Sequence, residues 1–188
     1  MNVLNVLKTA SLYLNISDIL QPIFNEENNI SSESENAYTK LLEAFNNVVG
    51  VLSSNYFDIY SASVINLDNN FEFDLSTLSF RCKKVVSLTS GGKSLKFKVA
   101  GNTLTTTQSG VATLTYAYVL DAYEDDDEID ILPMIDLSTL AMGVAYEYSY
   151  MQAIYDDAQM WKERFEESIT RIKSSLLQNK NTPARSWF

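Results

Sequence analysis

The chain has 188 residues, no histidine, a single cysteine and a formal net charge of −10. The missing histidine excludes an imidazole base and the His/Cys metal sites, and a lone cysteine excludes an internal disulfide. The acid excess argues against general nucleic-acid binding through the whole surface, while the length suffices for one sizeable core or for a core with a small inserted domain.

Val3, Val6, Leu7, Ala10, Tyr13 and Leu14 share one helical face, which predicts a first helix over residues 2 to about 14. No cleavable signal pattern is visible at the N-terminus and no apolar run approaches the length of a membrane span, so folding in a cytoplasm is expected. Residues 15–18 end the helix or start a short turn. Residues 21–34 are rich in Asn, Ser and Glu, with Pro22 near their start, and read as a loop. Ser32 and Glu35 have capping-box spacing, in which hydroxyl and carboxylate satisfy each other's backbone amides. Tyr38, Leu41, Leu42, Phe45, Val48, Val49 and Leu52 then predict a second amphipathic helix, ending near residues 53–56. Gly50 inside it costs about 1 kcal/mol against alanine, and close helix packing is the expected reason for it.

The period changes over residues 57–120, where β-branched and aromatic residues replace the helical pattern. Residues 59–66 read as a strand. Phe71 and Phe73 alternate with acids, and Leu95, Phe97 and Val99 alternate with Lys96 and Lys98 as in a half-buried strand. Turn signals stand at Ser90-Gly91-Gly92, Ala100-Gly101-Asn102 and Gln108-Ser109-Gly110. Residues 111–120 predict a long strand with Tyr116 and Tyr118 on one face. Charge is segregated as well. From residue 75 to residue 120 there is no acid, while Arg81, Lys83, Lys84, Lys93, Lys96 and Lys98 sum to +6, leaving −16 for the rest. Cys82 reads as a buried small hydrophobe. Ser90-Gly91-Gly92-Lys93-Ser94 lacks the upstream glycine of a phosphate loop and sits in a hairpin context.

Residues 121–130 carry seven carboxylates: Asp121, Glu124, Asp125, Asp126, Asp127, Glu128 and Asp130. A hard cation is conceivable there, but the alternating ligands and central glycine of a calcium loop are absent, and a solvated hinge is expected. The functional variant is electrostatic. Asp125, Asp126 and Asp127 would face Arg81, Lys83, Lys84, Lys96 and Lys98 of a neighbouring copy.

Asp136 is placed to cap a helix whose apolar stripe includes Leu137, Leu140, Ala141, Val144, Ala145, Tyr148 and Met151. Ala141, Gly143, Ala145, Ser149 and Ala153 are small enough for close approach by another helix. A second run, Ala158, Trp161, Phe165, Ile169, Ile172 and Leu176, follows at steps of three and four. Two helices with a tight break at residues 153–156 are expected, Asp156 and Asp157 capping the second; one continuous helix is the alternative. From Gln178 the chain turns basic and aromatic, with Lys180, Pro183, Arg185, Trp187 and Phe188, and is expected to leave the helix. The terminal rings either fold back onto their own core or insert into a partner, with Arg185 and Trp187 as hot-spot residue types. The predicted fold class is α+β: a four-helix body (residues 1–56 and 131–178), an inserted small antiparallel β domain (57–120), an acidic hinge (121–130) and a partner-binding tail (179–188). No catalytic constellation, cofactor site or metal site is expected.

The order of these parts, with Leu-Leu-Glu-Ala-Phe-Asn-Asn-Val-Val at residues 41–49, Leu-Ala-Met-Gly-Val-Ala-Tyr-Glu-Tyr at 140–148 and Met-Trp-Lys-Glu-Arg-Phe at 160–165, resembles the head-to-tail adaptor proteins of tailed bacteriophages. The ending Pro-Ala-Arg-Ser-Trp-Phe is similar to the short basic-aromatic endings of that group. The resemblance implies a ring, typically of twelve copies, in the virion neck between the portal protein and a downstream tail or nozzle protein. DNA would pass through its lumen without sequence-specific binding, and no membrane would be involved. It also implies assembly in the host cytoplasm and docking of the C-terminal segment, here Arg185, Trp187 and Phe188, into the portal. Two rival readings are a binding module whose β domain contacts a receptor or glycan, and a carboxylate-dependent hydrolase using the acidic strip.

Overall fold

The computed structural model describes residues 1–129 and 135–181, with side chains described as far as residue 176. The fold is α+β. Among the described residues there are five α-helices: α1 (Val3–Tyr13), α2 (Ser17–Phe24), α3 (Ser32–Val51), α4 (Leu137–Met151) and α5 (Tyr155–Asn181). Seven strands lie between α3 and α4: β1 (Ile59–Leu67), β2 (Glu72–Asp74), β3 (Cys82–Ser90), β4 (Lys93–Ser94), β5 (Phe97–Ala100), β6 (Thr103–Thr106) and β7 (Gly110–Tyr118). Two compact units result, one from Met1–Val48 together with the chain from Tyr123 onward, the other Val49–Ala122.

In the helical unit the apolar faces meet as their spacing requires. Val3, Val6, Leu7 and Ala10 of α1 are fully buried, as are Leu140, Ala141, Val144 and Ala145 of α4. The Tyr13 ring of α1 stacks on Trp161 of α5 with centroids 4.9 Å apart. Gly143 sits where α3, α4 and α5 converge. A Cβ there would lie 2.9 Å from both Phe165 Cε2 and Val48 Cγ1, closer than real Cβ contacts come, so only glycine admits this approach. Asp136 caps α4 as expected, its carboxylate accepting the Thr139 amide at 2.6 Å.

Three expectations for the helices need correction. The helical unit has five helices where four were expected: residues 17–24, read as the end of a turn and the start of a loop, form α2, which holds Pro22. Pro22 removes only the amide that would reach the carbonyl of exposed Asp18, and fully buried Leu20 ties the helix to the core. Ser31, not Ser32, caps α3: its Oγ accepts the Ser34 amide at 3.1 Å and lies 2.8 Å from the Ser34 hydroxyl. Helix α5 does not end at residue 177 but continues through residues 178–181.

The break between α4 and α5 is real and has a definite geometry. Ala153 adopts a left-handed φ of 58°, its amide donating to Tyr150 O and that of Ile154 to Ser149 O. These are the two bonds of a Schellman motif. Asn15 (φ 55°) and Glu26 (φ 55°) end α1 and α2 in the same way. Ile154, rather than Asp156 or Asp157, offers the carbonyl that opens α5, accepting the Ala158 amide at 3.0 Å; the two acids lie in the first turn, at the positive end of the helix dipole. Alanine in this backbone region carries steric strain that glycine lacks. Ala153→Gly is therefore expected to raise stability by about 0.5–1 kcal/mol, read from urea unfolding followed at 222 nm.

Where one sheet was expected, the β unit has two. The first has strand order β1-β7-β3-β4 and the second β2-β6-β5, both wholly antiparallel. Strand β7 is central to the first, pairing with β1 over nine consecutive residues and with β3 on its other side. Ile59, Ile65 and Leu67 of β1 and Ala112, Leu114, Tyr116 and Tyr118 of β7 point inward and are buried, so the two tyrosines do share a face. Gly91 (φ 55°) and Gly92 (φ 78°) form the two-residue turn joining β3 to β4, in the doubly left-handed conformation that suits a hairpin. The unit opens with the last residues of α3 and a π-helical turn, Leu52–Tyr56. Gly50, just before that turn, is not there for close packing: nothing lies within 4 Å of the position a Cβ would take. Its carbonyl accepts the Ser53 hydroxyl at 3.1 Å.

Candidate functional site

The residues singled out for charge fall in both units. In the β unit, Lys83 is committed within its own chain. Its Nζ lies 3.0 Å from Asp58 Oδ1 and donates to the Ser53 carbonyl at 3.0 Å, and the Phe57 carbonyl stands at 3.5 Å. Lys84 approaches the other Asp58 oxygen at 3.5 Å. The reason is local. The π-helical turn widens the last helical turn and leaves carbonyls of Ser53 and Phe57 facing outward, where an ammonium group can cap them. Ser53 itself is buried. Its hydroxyl donates to Val49 O and accepts the Leu120 amide at 3.1 Å, fastening the π-helical turn at the end of α3 to the chain beyond β7.

The hydrogen bond from Lys83 holds the Asp58 carboxyl below the usual carboxylate range; burial works against it, and the charges of Lys83 and Lys84 add to the lowering. Because the folded value lies below the unfolded one, this pair stabilises the protein above about pH 4 and the contribution fades as acid protonates Asp58. Asp58→Asn is expected to cost a few tenths to about 1 kcal/mol at neutral pH and almost nothing near pH 2, a difference checked by urea midpoints at the two pH values.

Arg81, Lys93, Lys96 and Lys98 are exposed, and no ion pair is formed by any of them among the described residues. Arg81 and Lys84 border a cleft of about 550 Å³ whose other walls include Leu75, Phe80, Val99, Asn102 and Asp121. Cys82 lines the same cleft, half-buried, and burial pushes its thiol above the ordinary value, so at neutral pH it is the unreactive protonated form. Lys96 and Lys98 flank Phe97 on a separate, shallower surface of β5 and β6.

The acidic strip belongs to the helical unit from Tyr123 onward. Glu124, Asp125, Asp126, Asp127 and Glu128 are exposed, yet the backbone there is bound. The Val3 amide donates to Asp127 O at 3.1 Å, the Leu4 amide to Asp125 O at 3.2 Å, and the Ile129 amide to Met1 O. The first amides of α1 thus find acceptors in the strip, and the acids stand near the positive end of that helix. Asn46 clamps Tyr123 through both backbone groups, at 2.7 and 3.1 Å. The Tyr38 hydroxyl donates to Asp125 Oδ2 at 2.6 Å; burial, then the bond to Asp125, raises the phenol well above its ordinary value. Asp127 Oδ2 accepts the Glu124 amide. Asp126 makes no such contact among the described residues. The strip is thus better described as a latch on α1 than as a free hinge. No group of three or more Cys, Asp or Glu side chains that could hold a metal ion occurs among the described residues.

Arg185, Trp187 and Phe188 lie outside the described residues. Sequence reasoning missed Asp58, Ser53, Asn46 and Tyr38 as polar anchors. Only Asp58 carried a signal, as the one acid beside the predicted start of β1. No helix among the described residues is long and apolar enough to cross a membrane. No protein-family model matches the chain, and comparison with curated proteins finds no match.

Proposed function

We propose that this chain is a structural virion protein, a head-to-tail adaptor that forms a ring between portal and tail through which DNA passes. The observation that carries the reading is the α4–α5 hairpin. Its two motif stretches, residues 140–148 and 160–165, are those in which the adaptor resemblance is densest. They meet at Gly143, beside Phe165, and Trp161 packs against α1. The charge pattern supports it as well. Exposed Arg81, Lys96 and Lys98 and exposed Asp126 leave charge of both signs for contacts between copies, as a ring of like subunits needs. The net acidity suits a lumen that must let DNA slide, since tight phosphate binding needs a basic surface. The portal-binding role falls to Arg185, Trp187 and Phe188.

Removing residues 179–188 is expected to leave a folded protein with unchanged thermal unfolding that no longer joins the portal in a pull-down. Retention of portal binding by the truncated chain would show that the tail is not the docking segment. Electron microscopy of the protein alone and mixed with portal tests the ring itself: particles with no rotational symmetry under either condition count against the adaptor reading.

A further inference from the structure

The first sheet of the β unit has two edges of very different character. On one side β3 is guarded. Its pairing with β7 shifts register twice, between Cys82 and Lys84 and between Val85 and Ser87, it carries Lys83 and Lys84, and β4 covers its end. Bulges, lysines and short covering strands are the usual means of keeping an edge from pairing with another chain. On the other side β1 has none of them. Its nine residues, Ile-Tyr-Ser-Ala-Ser-Val-Ile-Asn-Leu, include no charge and no proline, and they pair with β7 in unbroken register. Among the described residues, the backbone of β1 hydrogen-bonds only to β7. A cleft of about 450 Å³ runs beside residues 63–66, with Phe73 and residues 77–79 on its far wall. Tyr60 and Val64 are 57% and 74% exposed on the outer face, next to Val111 of β7 at 66%.

Charge says which occupant fits. The helical unit has an excess of eleven acids, so copies repel there. The β unit has five acids and six bases and is close to neutral. Two copies therefore approach most readily through their β units. We propose that β1 is a self-association edge, at which two copies pair antiparallel along Ile59–Leu67 across a two-fold axis centred on Ser63. This register alone pairs all nine residues. It sets Ile59 opposite the copy's Leu67 and Ser61 opposite its Ile65, continuing the buried face, and on the outer face it sets Ala62 opposite Val64. Both open edges are closed at once, as an isologous contact requires. The proposal does not rest on the adaptor reading: neighbours in a cyclic ring are related by the ring's rotation and not by a two-fold axis, so the pair belongs to the free protein and parts when a ring forms.

The test uses the full chain and three proteins: wild type, Ala62→Lys/Val64→Lys and Ala62→Glu/Val64→Glu. Sedimentation equilibrium across the micromolar range is expected to show wild-type dimers or multiples of them. Each double variant puts like charges opposite one another twice, and its dissociation constant is expected to rise roughly tenfold or more with circular dichroism unchanged. Mixing the lysine and glutamate variants sets opposite charges across the pair and is expected to restore association as a heterodimer in native mass spectrometry. A wild-type monomer at every concentration, undiminished association of either double variant, or a mixture that stays monomeric would each overturn the proposal. Portal pull-down with the same variants reads the adaptor function separately, because loss of pairing leaves residues 179–188 intact.

Discussion

Trp161→Ala is expected to cost about 3–5 kcal/mol. The indole is only 8% exposed on α5, and its face is stacked on Tyr13 of α1. Alanine would remove that burial and leave a cavity that two helices with fixed backbones cannot fill, so the transfer and void terms add. The Arg164 guanidinium, 5.0 Å from the indole centroid, would lose its aromatic partner too, a smaller term at an exposed site. Tyr13 also reaches Ser138 on α4 at 3.1 Å, so the loss is expected to loosen α1 from both of its neighbours. Urea unfolding followed at 222 nm is the measurement. A change under about 1 kcal/mol would mean that the ring is not part of the core and that the hairpin is held some other way.

The counterpart in the β unit is Leu114→Ala, for which about 2–5 kcal/mol is expected. Leu114 is fully buried at the middle of β7, the strand on which the first sheet depends. It stands opposite Ser63 on β1 and Leu88 on β3, and Leu88 is fully buried as well. Removing three carbons there opens a void between paired strands that hydrogen bonds hold at fixed spacing, so collapse is resisted. Val111 on the same strand is the control. It is 66% exposed on the opposite face, and Val111→Ala is expected to stay within about 0.5 kcal/mol of wild type. Equal losses at the two positions would show that the inward and outward faces of β7 have been assigned wrongly.

Particular elements show what can be read before the chain is folded. The stripe Val3, Val6, Leu7, Ala10 is one face of α1 because helical period alone places those side chains together, and all four are buried. Asp136 caps α4 because a carboxylate one residue before an apolar stripe has few better uses. In β7 the period of two put Tyr116 and Tyr118 on one face, and both are buried. Signals failed where a position has several local solutions. Ser31 and Ser32 are chemically equivalent caps one residue apart, and packing of Ser34 chose between them. Pro22 argued for a loop, while one buried leucine was enough to hold a short helix around it. The polar anchors were harder still. Asn46 and Tyr123 are 77 residues apart, and nothing in either marks the other as its partner.

The amino-acid sequence thus determined the class of fold, four of the five helices and the faces they bury, the long strands at either end of the β unit and the break after α4. These follow from interactions over a few residues, whose geometry is set by backbone period. Tertiary structure alone decided that the strands divide into two sheets, that Lys83 serves Asp58 and the π-helical turn, that the acidic strip latches α1, and that β1 is left with an open edge. Those outcomes depend on which distant segments come to lie side by side, and a linear pattern has no information about that until the chain has closed on itself.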